Sequence, residues 1–489
     1  MRMRMATIVA LALLAPAAAR ADVTADQAQS LEQQLHDWLA GLVGPVVGLG
    51  DRPVHLTPDG DHFRVEIPMQ AAAAAVGLDA SDATITAEAR PLSGDRWALD
   101  NIHIPPSLHI TGAGAGPDAG VNWSMKIADQ QISAVIDPSL ATASSFDADV
   151  HGQTSTSEGG PGAHASAIEH YVSHSVLLPV GNGRVDVLGN SMGDKLAVSQ
   201  TMPDGSPVNW SVEHVTNDVH ADAVAVGSIG TILRAAMDMV PAAIAAQQSG
   251  QPPAGVPPEA RGNARTVVTQ LRNLWSGFSM DETMDTMRFE AAGHSGSISR
   301  LGFGFAGNAR GGRIDLRMNL AVDGIDSPEI PAGPLRTYLP RHIALRPRVS
   351  GVPIDDAEQL LLRAIDSDGT HGDELAERAM ALLKKAPVTA GLDGVDFDFG
   401  PAHLRGNGEV HIASANDISG QADITVTGLD ALIKQVGSVP QLKQGVPALI
   451  MAKGFGVQQG NATHWKISYS GKKLMVNDQD LSSMIPGAK

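Results

Sequence analysis

Apolar and polar residues alternate with a period of two along much of this chain, between turns that come every few residues. Val54 and Leu56, then Phe63, Val65 and Ile67, stand on either side of Pro58-Asp59-Gly60. Such alternation sends one set of side chains to one face of a strand, and Asp-Gly between two such runs is a strong hairpin signal. Thr84 to Ala89, Trp97–Leu99 and Ile102–Ile104 continue the pattern until Pro105 and Pro106 end it. The spacing predicts an antiparallel meander to about residue 150. Later strands are expected at Thr286–Ala291, Ser297–Ala306, Arg313–Val322, Val395–Phe399, Ala402–Ile412 and Gly420–Thr427. A last hairpin joins Thr463–Ser470 to Lys473–Val476. Thr154 to Ala163 is polar and Gly-rich and reads as a loop or linker.

Between these runs the period changes to that of a helix. Thr24 with Gln27 forms a capping box, and Leu31, Leu35, Trp38, Leu39 and Leu42 make an apolar stripe, so a helix is expected from Ala25 to Val43. Ala223 to Gln248 is Ala-rich, with Ile229, Ile232, Leu233 and Met237 on one stripe and Pro241 interrupting it. A Pro-rich break at Gln251–Pro258 precedes a second amphipathic helix expected over Pro258–Phe278. Further helices are expected at Pro353–Ala364, Glu374–Lys385, Leu429–Val436 and Pro440–Met451.

The fold class that follows is α+β: long, mostly antiparallel, meander-like β-sheet regions with interposed amphipathic helices. The chain divides into a leader at 1–21, a helix plus β-rich region at 22–160, a β segment and helical block at 161–280, and a second β-rich region with helices at 281–489. One motif recurs. Val121-Asn122-Trp123-Ser124 and Val208-Asn209-Trp210-Ser211 each follow a turn and enter a strand, and Trp465-Lys466-Ile467-Ser468 repeats the pattern loosely. A repeated β unit and an accidental match are both open readings.

The leader has a basic start (Arg2, Arg4), an apolar run from Ala6 to Ala15, and Ala19 and Ala21 as an A-x-A site before Asp22. That is the pattern of a secretory signal peptide, with an apolar core too short to span a membrane. The expectation is a periplasmic or secreted protein of a Gram-negative bacterium, with membrane association peripheral at most, since no second apolar stretch approaches twenty residues. Net charge is −18, and loss of Arg2, Arg4 and Arg20 would make it more negative. Such a surface is repelled by phosphate backbones, which argues against a nucleic-acid partner. There is no cysteine among 489 residues, which excludes a disulfide scaffold, thiol catalysis and thiolate metal sites.

Motifs with chemistry are few. His170-Tyr171-Val172-Ser173-His174, with Glu169 beside it and His164 six residues earlier, offers metal ligands. On a helix, His170 and His174 would share a face, though the sequence lacks the H-E-x-x-H form; the alternative is a solvated surface segment. Asp393, Asp396 and Asp398, and separately Asp366, Asp368 and Asp373, are acidic turns without the full calcium-loop spacing. Gly112, Gly114 and Gly116 open a strand rather than a helix, so they form no phosphate cradle. No G-x-S-x-G elbow occurs, and no cofactor is implied.

The plan resembles that of AsmA-like bacterial envelope proteins, on the strand–turn runs around Val54–Ile67, Ser297–Val322 and Val395–Thr427. That resemblance implies an elongated, curved sheet with an apolar groove that handles lipids. It differs in its cleavable leader, where those proteins usually keep an N-terminal anchor, and it transfers no functional residue. The expected function is non-enzymatic: binding or shielding an apolar, lipid-like ligand, or supporting envelope assembly. The alternatives are a metal-assisted hydrolase built on His164, His170 and His174, and a structural β-repeat protein.

Overall fold

The computed structural model describes residues 23–43, 54–70, 73, 78–80, 83–113, 120–140, 142–158, 163–202, 205–248, 256–330, 336, 338–367, 372–414, 417–440, 442–471 and 473–482. Within its helices, side chains at 36–43, 237, 240–248, 372–373, 380 and 384–385 are not described. The leader, and the side chains of Trp38, Leu39, Leu42, Met237 and Pro241, therefore lie outside the described residues.

The first helix, α1 (Ala25–Val43), has the expected bounds. Its capping box is formed: the Gln27 amide donates to Thr24 Oγ1 at 3.3 Å, and the Thr24 amide donates to Gln27 Oε1 at 2.9 Å. Leu31 and Leu35 are fully buried in a cluster with Val54, Phe63, Val65, Ala89, Trp97, Leu99 and Ile136. These residues come from β1 (His55–Asp59), β2 (His62–Pro68), β4 (Thr84–Pro91), β5 (Trp97–His103) and β8 (Asp129–Asp137), or flank them. The strands pair in the order β1, β2, β4, β5, β8, all antiparallel. The helix and this small sheet make a two-layer core of the usual kind.

From there the sheet runs on as an uninterrupted meander. The strands are β9 (Thr142–Glu158), β10 (His164–Gly181), β11 (Arg184–Thr201), β12 (Pro207–Ala225), β13 (Gly277–Ala291), β14 (His294–Arg310), β15 (Arg313–Asp326), β16 (Pro340–Pro353), β17 (Val388–Phe399), β18 (Ala402–Ser414) and β19 (Asp417–Thr427). Each pairs antiparallel with the next. β21 (Ala462–Ser470) closes onto β19, with β20 (Val457–Gln459), β22 (Lys473–Val476) and β23 (Gln479–Asp480) at that edge. At the other edge β9 takes two partners end to end, β8 and β7 (Gly120–Lys126); β6 (Ser107–Ala113) and β3 (Leu78–Asp79) continue from β7. The twenty-three strands among the described residues belong to one sheet.

The helices sit at the two ends of the strands. α2 (Val226–Gln248) and α3 (Arg261–Leu271) connect β12 to β13, and α4 (Ile354–Asp366) and α5 (Gly372–Lys385) connect β16 to β17, all at one end. α6 (Leu429–Ser438) and α7 (Val446–Phe455) follow β19 at the opposite end. The expected blocks of sheet, helices and sheet are thus a single sheet whose helices are long strand connections.

Two expectations need correction. Thr154–Glu158 is strand, paired to β7 on one side and β10 on the other; its Ser and Thr side chains suit a strand wet on both faces. The helix expected over Pro258–Phe278 ends at Leu271, and Phe278 already belongs to β13. Trp275 instead meets Phe278 edge-on, with ring centroids 5.0 Å apart. The three tryptophan segments do share a setting. Trp123, Trp210 and Trp465 are each the fourth residue of β7, β12 and β21, and those strands enter the sheet from the same end.

The long strands carry a shared irregularity. Gly152, Lys195, Thr286 and Gly324 have φ of +61°, +51°, +55° and +62°, and they lie in β9, β11, β13 and β15. Each directly follows an ionisable residue: His151, Asp194, Asp285 and Asp323. Across this line the apolar positions change parity, from Met280 and Met284 to Met287 and Phe289 in β13, and from Leu320 and Val322 to Ile325 in β15. A left-handed residue in a strand re-aims the side chains after it. Ile168 illustrates the result, since a Cβ on Gly193 would lie 2.9 Å from its Cδ1.

Candidate functional site

Residues directly opposite on paired strands share a face, so the register assigns the two faces of the meander. One row reads Met284, Leu301, Val322, Ile343, Phe397, Leu404, Val426 across β13 to β19. The next two rows on that face read Val395, Gly406, Ile424 and Trp465, then Leu392, Gly408, Ala422 and Ile467. This face is apolar from β13 to β21. Toward β10 it becomes polar, where Ser173, Ser191, Asn217 and Glu282 stand in one row.

Among the described residues, the apolar face is covered at its margins. Leu429, Leu432 and Val436 of α6 pack with Leu449 of α7 onto Leu404, Ile424, Val426 and Trp465, and Trp465 Nε1 donates to the Ala452 carbonyl at 2.8 Å. At the other end, Ile229 of α2 packs with Val187, Ala221 and Val224. Between the covered margins Met318, Val349, Leu392 and Val410 remain 39, 36, 38 and 40 % exposed, high values for large side chains of a sheet interior. Beside α6 and α7 the sheet forms an open cavity of about 640 Å³, within the usual range for small-molecule sites. Leu392, Leu404, Val410, Ile424, Ile467 and Tyr469 line it, and Gly406, Gly408 and Gly420 leave room at its floor.

A second concavity of about 770 Å³ crosses β9 to β14 near the opposite edge. Its lining mixes Trp210 and Phe289 with Arg288, Glu290 and several hydroxyls, so it is less apolar.

The other face is ionisable. One residue from each strand, β8 to β18, forms an unbroken cross-strand row: Asp129, His151, His170, Asp194, His214, Asp285, Arg300, Asp323, His342, Asp398, His403. Acid and base alternate from Asp194 to His403. Nδ1 of His214 lies 2.6 Å from Asp194 and Nδ1 of His342 2.6 Å from Asp323. The hydrogen bond from His214 holds the Asp194 carboxyl below the usual carboxylate range, against the opposing pull of desolvation. At Asp396, burial pushes the carboxyl up, but the hydrogen bond and charge of His403, joined by Arg405, outweigh it and bring the net position down.

The expected histidines do not converge. His164, His170 and His174 lie in β10, a strand and not a helix; His170 and His174 belong to this face, whereas His164 lies beyond the left-handed line, where parity is reversed as it is at Ile168. At about 3.3 Å per residue, His170 and His174 stand roughly 13 Å apart along the strand, and His164 is farther still. Four-residue spacing brings imidazoles together on a helix but separates them on a strand, so the three cannot surround one ion. His174 Nδ1 instead meets Asp147 Oδ1 at 2.5 Å.

His170 does join a group, with residues the sequence did not single out. Its Nε2 lies 2.9 Å from Asp149 Oδ1, and Nε2 of His151 lies 3.1 Å from the same oxygen. The two imidazoles are stacked, 4.2 Å apart and 3° from parallel. On the other side, His170 Nδ1 is 3.5 Å from Asp194 Oδ2. The one signal in the sequence was Asp149-Val150-His151, an i, i+2 pair that shares a face on a strand.

No known protein family, curated protein or solved structure matches this chain. Function therefore has to be argued from its faces alone.

Described carboxylates of the acidic segments pair with basic side chains. Asp393 pairs with Arg348 at 2.5 Å, Asp396 with His403 and Arg405, and Asp366 with Arg265; Asp368 and the Asp373 side chain lie outside the described residues. No helix among the described residues is long and apolar enough to cross a membrane.

Proposed function

We propose that this protein binds or shields an apolar, lipid-like molecule along the uncovered face of its sheet. The observation that carries the reading is the apolar row from β13 to β21, left open between marginal helices and deepened into the cavity lined by Leu392, Val410, Ile467 and Tyr469. Apolar side chains left in water across eight strands forgo roughly 25 cal/mol for each Å² that a ligand could cover. An acyl chain fits that surface because it needs no directional partner, and the lining offers few. The polar row of Ser173, Ser191, Asn217 and Glu282 would then face a headgroup or water.

The proposed place of work is the bacterial envelope after export, on the leader pattern of residues 1–21. The plan-level resemblance to AsmA-like proteins belongs to the same reading. The alternative of a metal-assisted hydrolase on His164, His170 and His174 gains no support from their positions, which are spread along β10.

Protein purified from its native host should yield lipids on solvent extraction, identified by mass spectrometry. The purified chain should bind an apolar fluorescent probe that a fatty acid displaces. Recovery of no lipid together with no probe binding would overturn the reading and leave a structural β-repeat protein as the better description.

A further inference from the structure

We propose that Asp149, His151 and His170 form a binding site for a divalent transition-metal ion of the zinc class, on the polar face of the sheet. Two imidazole nitrogens and a carboxylate oxygen are a regular ligand set for zinc, copper or nickel, whereas calcium and magnesium prefer oxygens throughout. The spacing of the ligand atoms is close to what such an ion needs, and the two stacked rings would turn toward each other for both Nε2 lone pairs to meet on it. Zinc bonds of about 2.0–2.1 Å in a tetrahedral site put neighbouring ligand atoms roughly 3.3 Å apart. Both Nε2 atoms stand 2.9–3.1 Å from Asp149 Oδ1, and the ligand atoms of all three residues lie within 4.8 Å of one another. Among the described residues, no other group of three potential ligands meets that distance.

The backbone holds this spacing. His151 and His170 are direct cross-strand partners on β9 and β10, and Asp149 precedes His151 by two residues on the same face. Their approach is therefore set by paired strands and not by a mobile loop. The left-handed Gly152 follows His151, and its hydrogen would become a Cβ only 2.8 Å from the Ala128 side chain. The ring of His170 is held from behind. Asp194 Oδ2 lies 3.5 Å from its Nδ1, and Asp194 is in turn fixed by His214 Nδ1 at 2.6 Å. A carboxylate behind a ligating histidine orients the ring and raises its basicity, the usual outer shell of a metal site. Asp194 is thus a positioning residue. His151 and Asp149 are about half exposed, so the fourth coordination position opens to water.

Protons compete with a metal ion for imidazole nitrogens, so affinity should fall as pH drops. The site is independent of the apolar face, and either can fail without the other.

The test uses the full chain, stripped with a chelator and titrated calorimetrically with Zn²⁺. One equivalent should bind per chain, and Co²⁺ in its place should give the visible absorption of a tetrahedral site. His151→Ala and His170→Ala should each abolish that equivalent while circular dichroism still reports an intact sheet. Asp194→Asn should weaken it by about 10–100-fold. His164→Ala and His174→Ala should leave it unchanged. The proposal is overturned if no saturable equivalent binds, if binding survives His151→Ala, or if it is lost in His174→Ala instead. Asp149→Asn supplies a near-isosteric check. Retained stability with weakened Zn²⁺ binding supports the site, and unaltered binding counts against it.

Discussion

Nδ1 of His214 lies 2.6 Å from Oδ1 of Asp194, across the β11–β12 pair, in a row of ionisable residues that crosses eleven strands. Opposite charges directly facing each other on a sheet stabilise by tenths of a kcal/mol to about 1 kcal/mol a pair, whereas facing like charges destabilise. The alternation of acid and base from Asp194 to His403 makes neighbours complementary at each step.

The depressed pKa of Asp194 gives a pH dependence with a definite sign. Its carboxylate contributes stability above its unfolded value near 3.9, and that contribution is lost as pH falls through the lower folded value. Because the pair is more than one-third exposed, solvent limits the effect to a few tenths of a kcal/mol up to about 1 kcal/mol. Urea unfolding should find Asp194→Asn less stable than wild type by that amount at pH 7. The two curves should merge at acid pH; a constant difference across the range would contradict the assignment.

The apolar cavity is sensitive to volume. Ala422 lies in its wall between Gly408 and Ile467. Ala422→Phe should fill it and reduce apolar-probe affinity about tenfold or more, since a good fit is worth several buried methylenes. Val410→Asp at the 40 % exposed rim should also weaken the probe while leaving the thermal midpoint nearly unchanged. Unchanged probe titrations for both variants would place binding elsewhere.

The N-terminal core should behave as a conventional one. Leu35 is 1 % exposed, so Leu35→Ala should cost about 2–5 kcal/mol in denaturant unfolding. Thr24→Ala removes one half of the capping box and should cost about 1 kcal/mol. An effect of Leu35→Ala below that of Thr24→Ala would show that α1 is not docked as described.

Arg272 of the α3 C-terminus reaches Glu358 of α4 at 3.0 Å, and Glu358 is 8 % exposed. Removing the arginine strands a buried carboxylate. Arg272→Ala should cost about 1.5–3 kcal/mol, and Glu358→Gln in the same chain should recover part of it. A double variant no better than Arg272→Ala would refute the coupling.

The left-handed row makes a contrasting pair. Thr286, β-branched at φ +55°, bears a strain of about 1–2 kcal/mol that glycine would not, less about 0.5–1 kcal/mol for glycine's greater chain entropy. Thr286→Gly should therefore stabilise by up to about 1.5 kcal/mol. Gly152→Thr at the same place in β9 should destabilise by more, because it adds a contact with Ala128. Equal effects of the two exchanges would mean that the row is not conformationally equivalent.

The local patterns in this sequence carried much of the fold. Period-two alternation, the Asp-Gly turn, and the Thr24–Gln27 cap act over a few residues, and they located α1, the β1–β2 hairpin, α4, α6 and the last hairpin to within a few positions. They failed where the left-handed residues interrupt strands: the parity change after Thr286 made one strand of β13 look like a short one at Thr286–Ala291. The sites were less legible. His170 meets His151 and Asp194 only because turn lengths and register bring strands 19 and 24 residues apart in sequence into contact. Hydrophobic periodicity says which side chains share a face, whereas pairing decides who stands opposite whom. The sequence by itself determined an α+β chain of hairpins and amphipathic helices. Only the tertiary structure decided that the hairpins join into one sheet, with an open apolar face on one side and an ionisable row on the other. Register is a non-local quantity, summed over every turn between two residues, and no short window of sequence contains it.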